Sequence, residues 1–246
     1  MIRGVIFDLG STLLYSQSDG LWETILPRMN ADLLASLQTH GYGRLDAEFV
    51  RRFAAHFSEA ERQRQQDWQE TSAAWVLEKT LADLGAAPPP AQVSREVLRA
   101  YYAYSESLWR PMPGVYEVLE RLAAKGLKLA IISNASDNAN VQRLVDFGRF
   151  RHYFDPIIVS SAVGIRKPAP AIFGMVLRPW GLPPAECVMV GDTLEADIRG
   201  AQLVGLHNVW LTAQADRPSN RTWRNEISPE VEIADLAQLP AVLEAM

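Results

Sequence analysis

Cysteine is almost absent from this chain of 246 residues: Cys187 is the only one. A lone thiol excludes a disulfide framework and any zinc site built on cysteines, and it fits a reducing cytoplasm. No apolar run approaches the roughly 18 residues that a membrane helix needs. Met1 leads straight into Ile-Arg-Gly-Val-Ile-Phe-Asp, without the basic and then apolar pattern of a secretory signal. Positive charge is not in surplus either. The chain carries 24 Lys+Arg against 29 Asp+Glu, net −5, whereas a nucleic-acid binder wants a basic face. Lysine is scarce within that count, with only Lys79, Lys125, Lys128 and Lys167. What remains is the composition of a folded protein, 48% hydrophobic and 22% charged, which excludes wholesale disorder. The expectation is a cytoplasmic protein with neither nucleic acid nor membrane as partner. A single sequence leaves the oligomeric state open.

Two textures alternate along the chain. Short, nearly continuous apolar runs recur at Val5–Phe7, Leu127–Ile132, Pro156–Val159, Cys187–Val190, Val209–Leu211 and Val231–Ile233. Strands without polar alternation are buried on both faces, which means a parallel sheet covered by helices on each side. Helical patterns at about 114–125, 137–147, 170–180, 194–204 and 236–244 supply that cover. The predicted fold is therefore α/β, a doubly wound Rossmann-like parallel sheet. The second texture, residues 16–107, holds only helical patterns: 21–39, 47–69, 72–84 and 93–107, with Pro88-Pro89-Pro90 as a rigid connector. It is predicted to be an inserted α-helical domain, net −4, with residues 1–15 and 108–246 forming the core domain. The polar stretch Ser58–Glu70 is expected to be a solvated helix.

In an open α/β sheet, ligands bind beyond the carboxyl ends of the strands, near the point where strand order reverses. The residues that fall there are Asp8, Ser133-Asn134, Ser160-Ser161 and Gly191-Asp192, with Lys167 in the loop Gly164-Ile-Arg-Lys-Pro-Ala-Pro170. Each has a bland reading alone, as a cap or a turn residue. Together they suit phosphoryl transfer, which needs an oxygen nucleophile, a cation and donors for the nonbridging oxygens. Asp8 supplies a carboxylate able to form an aspartyl-phosphate. Asp8, Asp192 and a backbone carbonyl make a hard-oxygen site of the kind Mg²⁺ prefers. Asp197, five residues after Asp192, is better placed to pair with Lys167. Ser133, the amides near Asn134 and Lys167 are candidates to hold phosphate oxygens at a helix N-terminus. Arg166 reads as a surface residue.

The ordered set resembles the four motifs of the haloacid dehalogenase superfamily, and Gly-x-x-Lys-Pro-x-Pro-x-x-Phe and Gly-Asp-x-x-x-x-Asp-Ile-x-Gly-Ala resemble its subfamily I. The resemblance spans about residues 2–13 and 111–243, and the insert sits where that family carries a helical C1 cap. It implies a hydrolase, most simply a Mg²⁺-dependent phosphatase of a small phosphorylated metabolite. Asp8 and Lys167 would be catalytic, Ser133, Asn134 and Lys167 would meet phosphate, and Asp8, Asp192 and the Gly10 carbonyl would meet metal. Thr12 and Asp197 would stand behind them.

One position departs from the pattern. Most phosphatases of the superfamily carry a second Asp two residues after the first, as general acid and base; here it is Gly10. General acid–base help is worth about 10²–10⁴ in rate. His40, His56 and Asp19 are the candidates to replace it, with Trp22 and Arg28 as candidate substrate contacts. Alternatives stay open. A non-enzymatic regulatory protein that binds metal and phosphate is one. A 2-haloacid dehalogenase also lacks the second Asp, but Asp192 and Asp197 would repel its anionic substrate. A phosphonatase wants an early cap lysine, and the insert has only Lys79. The aromatics of the insert and its edge, including Trp68, Trp75, Trp109, Tyr101, Tyr102 and Tyr104, are expected to fill the bundle core.

Overall fold

The computed structural model describes residues 1–18 and 22–246, apart from the side chains of Trp22 and Gln65. In chain order the elements are β1 (Gly4–Phe7), β2 (Leu14–Ser16), α1 (Trp22–Thr39), α2 (Ala47–Asp67), α3 (Ala73–Asp83), α4 (Ala91–Glu106) and β3 (Trp109–Pro111). Then follow α5 (Val115–Ala124), β4 (Lys128–Ser133), α6 (Asn138–Phe147), β5 (Ile157–Val159), a single turn α7 (Ser160–Val163), α8 (Pro170–Trp180) and β6 (Cys187–Gly191). The chain ends with α9 (Gly200–Val204), β7 (His207–Leu211), α10 (Pro218–Trp223), β8 (Val231–Ile233) and α11 (Leu239–Ala245).

Six strands form one sheet in the order β5-β4-β1-β6-β7-β8, all parallel. Alternate residues feed two cores, as burial on both faces demands. Val5, Phe7, Leu129, Ile131, Val188 and Val190 pack on one side with α5, α6 and α11. Ile6, Ala130, Ile132, Cys187 and Met189 pack on the other with α8 and α9. β1 is central, and the chain runs outward from it through β4 and β5 before returning to β6. The reversal of strand order therefore lies at β1, with β4 and β6 beside it.

Helices α1 to α4 enclose a core of their own. Ile25, Met29, Leu33 and Leu37 recur every fourth residue on α1 and meet Phe49, Phe53, Val76, Leu77, Leu81, Val97 and Leu98. Burial of each large aliphatic chain stabilises by about 1.5–3 kcal/mol. The aromatics divide differently from expectation. Tyr101 and Tyr102 are buried, but Trp75 is 52% exposed and Tyr104 is exposed too. A short antiparallel pair, β2 with β3, lies at the chain's entry to and return from this bundle. No alternating pattern marked it, because three-residue strands are too short to show a period. The polar stretch 58–70 is mostly solvated, with Ala60, Arg64 and the Glu70 side chain as buried exceptions. No helix among the described residues is long and apolar enough to cross a membrane.

Candidate functional site

At the carboxyl ends of β1, β4 and β6 lies a cavity of about 400 Å³, and Asp8, Gly10, Ser133, Asn134, Lys167, Asp192 and Asp197 all line it. Asp8 follows β1, and its amide donates to the Val190 carbonyl at 3.0 Å, which continues the pairing of β1 with β6 past the strand end. Its carboxylate is 14% exposed. Lys167 is fully enclosed and donates to Asp8 Oδ1 at 2.8 Å and to Asp197 Oδ1 at 2.6 Å. Burial alone would lower the Lys167 pKa, but Asp197 and Asp8 outweigh it, and the ammonium is held charged.

Asn134 fixes that lysine. Its Nδ2 donates to the Lys167 carbonyl and its Oδ1 accepts from the Lys167 amide, both at 2.9 Å. The side chain expected to face phosphate is thus engaged on the Lys167 main chain. Ser133 closes β4 with a hydroxyl that makes no hydrogen bond among the described residues. Asp197 is used on both oxygens, since its Oδ2 accepts from the Thr193 amide at 2.9 Å. A Cβ on Gly191 would fall on that carboxylate, so only glycine permits the approach.

Asp8, Asp192 and Asp197 offer carboxylate oxygens within 4.8 Å of one another. Burial, then repulsion from Asp8 and Asp197, pushes the Asp192 pKa well above the ordinary carboxylate range. Burial raises Asp197 to about 6, against the opposing pull of Lys167. Such a set asks for a cation. With both Asp197 oxygens engaged, Asp8 and Asp192 present the remaining carboxylates of the cluster, hard oxygens suited to a divalent ion, and Asp192 Oδ2 also accepts from Arg217.

Sequence reasoning gave three residues no place here. Arg217, the residue before α10, donates from Nη1 to Asp192 Oδ2 at 3.1 Å and from Nη2 to Ser11 Oγ at 2.9 Å. Buried Asn220, one turn later, donates to the Asp192 carbonyl at 2.9 Å and accepts from the Leu194 amide, which moors this segment to the Asp192 loop. Trp109 of β3 lies against Gly10: a Cβ at Gly10 would be 3.3 Å from the ring. Nothing in their spacing marks any of the three.

Other expectations fall elsewhere. His40 pairs with Glu96 at 2.8 Å and His56 with Asp83 at 3.1 Å, and neither lines the cavity. Arg28 is exposed on Asp32. Thr12 is buried outside the cavity lining, its hydroxyl unpartnered. Arg166 is not a surface residue but lines the cavity, 3.8 Å from Glu70 and 3.9 Å from Glu61. Asp19 and the Trp22 side chain lie outside the described residues.

Residues 2–205 match the profile of haloacid dehalogenase-like hydrolases. A phosphoserine phosphatase of Thermus thermophilus is 33% identical over 178 residues, 69% of this chain and 67% of the relative. A glyceraldehyde 3-phosphate phosphatase of Methanopyrus kandleri is 29% identical over 85% of this chain and 83% of its own. The crystal structure of a 2-haloacid dehalogenase from Pseudomonas syringae superposes with a TM-score of 0.73 at 29% identity, covering 100% of this chain and 99% of the other. The chain belongs to the haloacid dehalogenase-like hydrolase family.

Proposed function

We propose that the protein is a Mg²⁺-dependent phosphatase of small phosphorylated metabolites. The observation that carries the reading is Asp192 beside Asp8: two carboxylates at adjacent strand ends, with a third, Asp197, already satisfied by Lys167. A dianionic phosphate approaches such a site only when a cation offsets the charge. Bound at Asp8, Asp192 and the Gly10 carbonyl, Mg²⁺ would supply that charge and orient the phosphoryl group. Asp8 Oδ2 is the nucleophile and Lys167 holds Asp8 in place. The Ser133 hydroxyl, the main-chain amides after β4 and the Lys167 ammonium receive phosphate oxygens. Residues 16–107 act as a cap that excludes water and shapes the cavity, with Tyr102 and Ser105 on its side. Burial holds the Tyr102 hydroxyl protonated, so it serves as a donor and not as a base. The lone, buried Cys187 suits a cytoplasmic protein.

Gly10 and the likeness to a 2-haloacid dehalogenase favour a second reading, halide displacement by Asp8. Asp192 opposes it, because a haloacid's own carboxylate would enter beside uncompensated charge. Purified protein assayed with a phosphate-ester panel in Mg²⁺, and with 2-haloacids in chelator, separates the two. Phosphate release that is lost in Asp8→Asn supports the first. Metal-independent halide release replaces it with the second. Neither activity, with Mg²⁺ binding intact, leaves the regulatory protein.

A further inference from the structure

Gly10 stands where this family usually carries a second carboxylate, and the indole of Trp109 packs against it, its carbon edge 3.3 Å from where a Cβ would lie. The other protonatable groups around the cavity are committed. Lys167 is enclosed between Asp8 and Asp197, Asp197 is bonded on both oxygens, and Asp192 carries Arg217. Tyr102 is bonded to Ser136 at 3.0 Å. Among the described residues lining the cavity there is no histidine or glutamate, and apart from the nucleophile Asp8 every carboxyl and ammonium already has a protein partner, so none stands ready as a general acid for a leaving oxygen. Two guanidiniums, Arg166 and Arg217, line it instead, and they offset negative charge without transferring a proton.

We propose, resting on the phosphatase reading, that the substrates are phosphates whose leaving group departs as a stable anion. These are acyl phosphates, and esters of comparably acidic enols or phenols, in preference to alkyl phosphates. The chemistry balances without a protein acid. Asp8 Oδ2 attacks phosphorus, the bond from phosphorus to the leaving oxygen breaks, and its electron pair leaves as a carboxylate, enolate or phenolate. Water then attacks the aspartyl-phosphate, the bond to Asp8 breaks with its pair returning to the carboxylate, and both protons of the water depart on H₂PO₄⁻.

The test is the leaving-group dependence of the intact protein in Mg²⁺. Aryl phosphates with leaving-group pKa from about 7 to about 10 form the series, with acetyl phosphate and glycerol phosphate at the extremes. The expected result is a fall in kcat/KM of about tenfold or more across the aryl series, with acetyl phosphate far ahead of glycerol phosphate. Gly10→Asp combined with Trp109→Ala, which restores the carboxylate and clears its space, is expected to flatten the series. A flat series in the natural protein overturns the proposal. If that flat series turns steep in Asp19→Asn, the missing donor is Asp19. Hydrolysis of no member of the series overturns the phosphatase reading and this inference with it.

Discussion

Arg217 and Asp192 are joined at 3.1 Å by a guanidinium that also reaches Ser11, so one side chain from beyond β7 ties the β6 loop to the β1 loop. Three carboxylates around the cavity thus face two protein cations, Lys167 and Arg217. A divalent ion entering at Asp8 and Asp192 must share Asp192 with a positive charge already there.

Arg217→Gln is therefore expected to bind Mg²⁺ about three- to tenfold more tightly, near 1 kcal/mol, in isothermal titration calorimetry. The side chain is 36% exposed, so the difference between variant and natural protein should shrink as salt is raised. An unchanged or weaker affinity would mean that Arg217 serves to hold the Asp192 rotamer and does not compete with metal.

The metal-free protein should lose stability with rising pH through the range where its site carboxylates ionise. Burial raises both Asp192 and Asp197, the latter to about 6. A raised carboxyl pKa means that the native state binds more protons than the unfolded chain between about 4 and 6. The contribution is thus fully present below the ordinary carboxylate range and is lost as pH rises through about 6. Mg²⁺ offsets the same charges, so its gain in Tm should be larger near pH 7.5 than near pH 5. Thermal melts with chelator and with Mg²⁺ at both pH values check the difference, which cancels the exposed carboxylates common to both.

Much of this was legible from the chain itself. Leu127–Ile132 and Cys187–Val190 read as buried strands because both faces are covered, and the strand order then brings Asp8, Ser133 and Asp192 to one edge. Lys167 stood out because lysine is scarce. Trp109 and Arg217 were not legible, since each reaches the site through tertiary packing: Trp109 through a three-residue strand, Arg217 through Asn220 anchoring a loop 28 residues from Asp192. Glu70 was hidden for another reason. It sits in a polar stretch whose neighbours are solvated, and only the contact with the core buries it.

Lys167→Met leaves Asp8 and Asp197 facing each other without their shared ammonium. Removing one partner of a buried ion pair costs about 3–5 kcal/mol, which corresponds to a fall in Tm of about 6–20 °C for a chain of this size. Activity should vanish, and Asp197→Asn in the same background should recover part of the lost Tm by removing one of the two charges. Differential scanning calorimetry of the single and double variants decides it.

Glu70 joins the helical insert to the core through a side chain only 1% exposed. Its carboxylate accepts from Arg64 Nη1 at 2.6 Å and from Ser160 Oγ at 2.7 Å, and Ser160 in turn accepts from the Ala135 amide just beyond β4. The main chain repeats the connection, with the Glu70 amide on the Gly164 carbonyl and the Arg166 amide on the Trp68 carbonyl. Glu70→Ala strands buried Arg64 and Ser160 and should cost about 3–5 kcal/mol. Glu61→Ala, which removes an exposed partner of the same arginine, should cost below about 1 kcal/mol. Because Arg166 lines the cavity beside this junction, Glu70→Ala should also raise KM more than it lowers kcat. Denaturant melts and steady-state kinetics on the two variants provide the comparison. Equal losses of stability in both would show that Arg64 is held by Glu61, leaving Glu70 as a polar filler between cap and core.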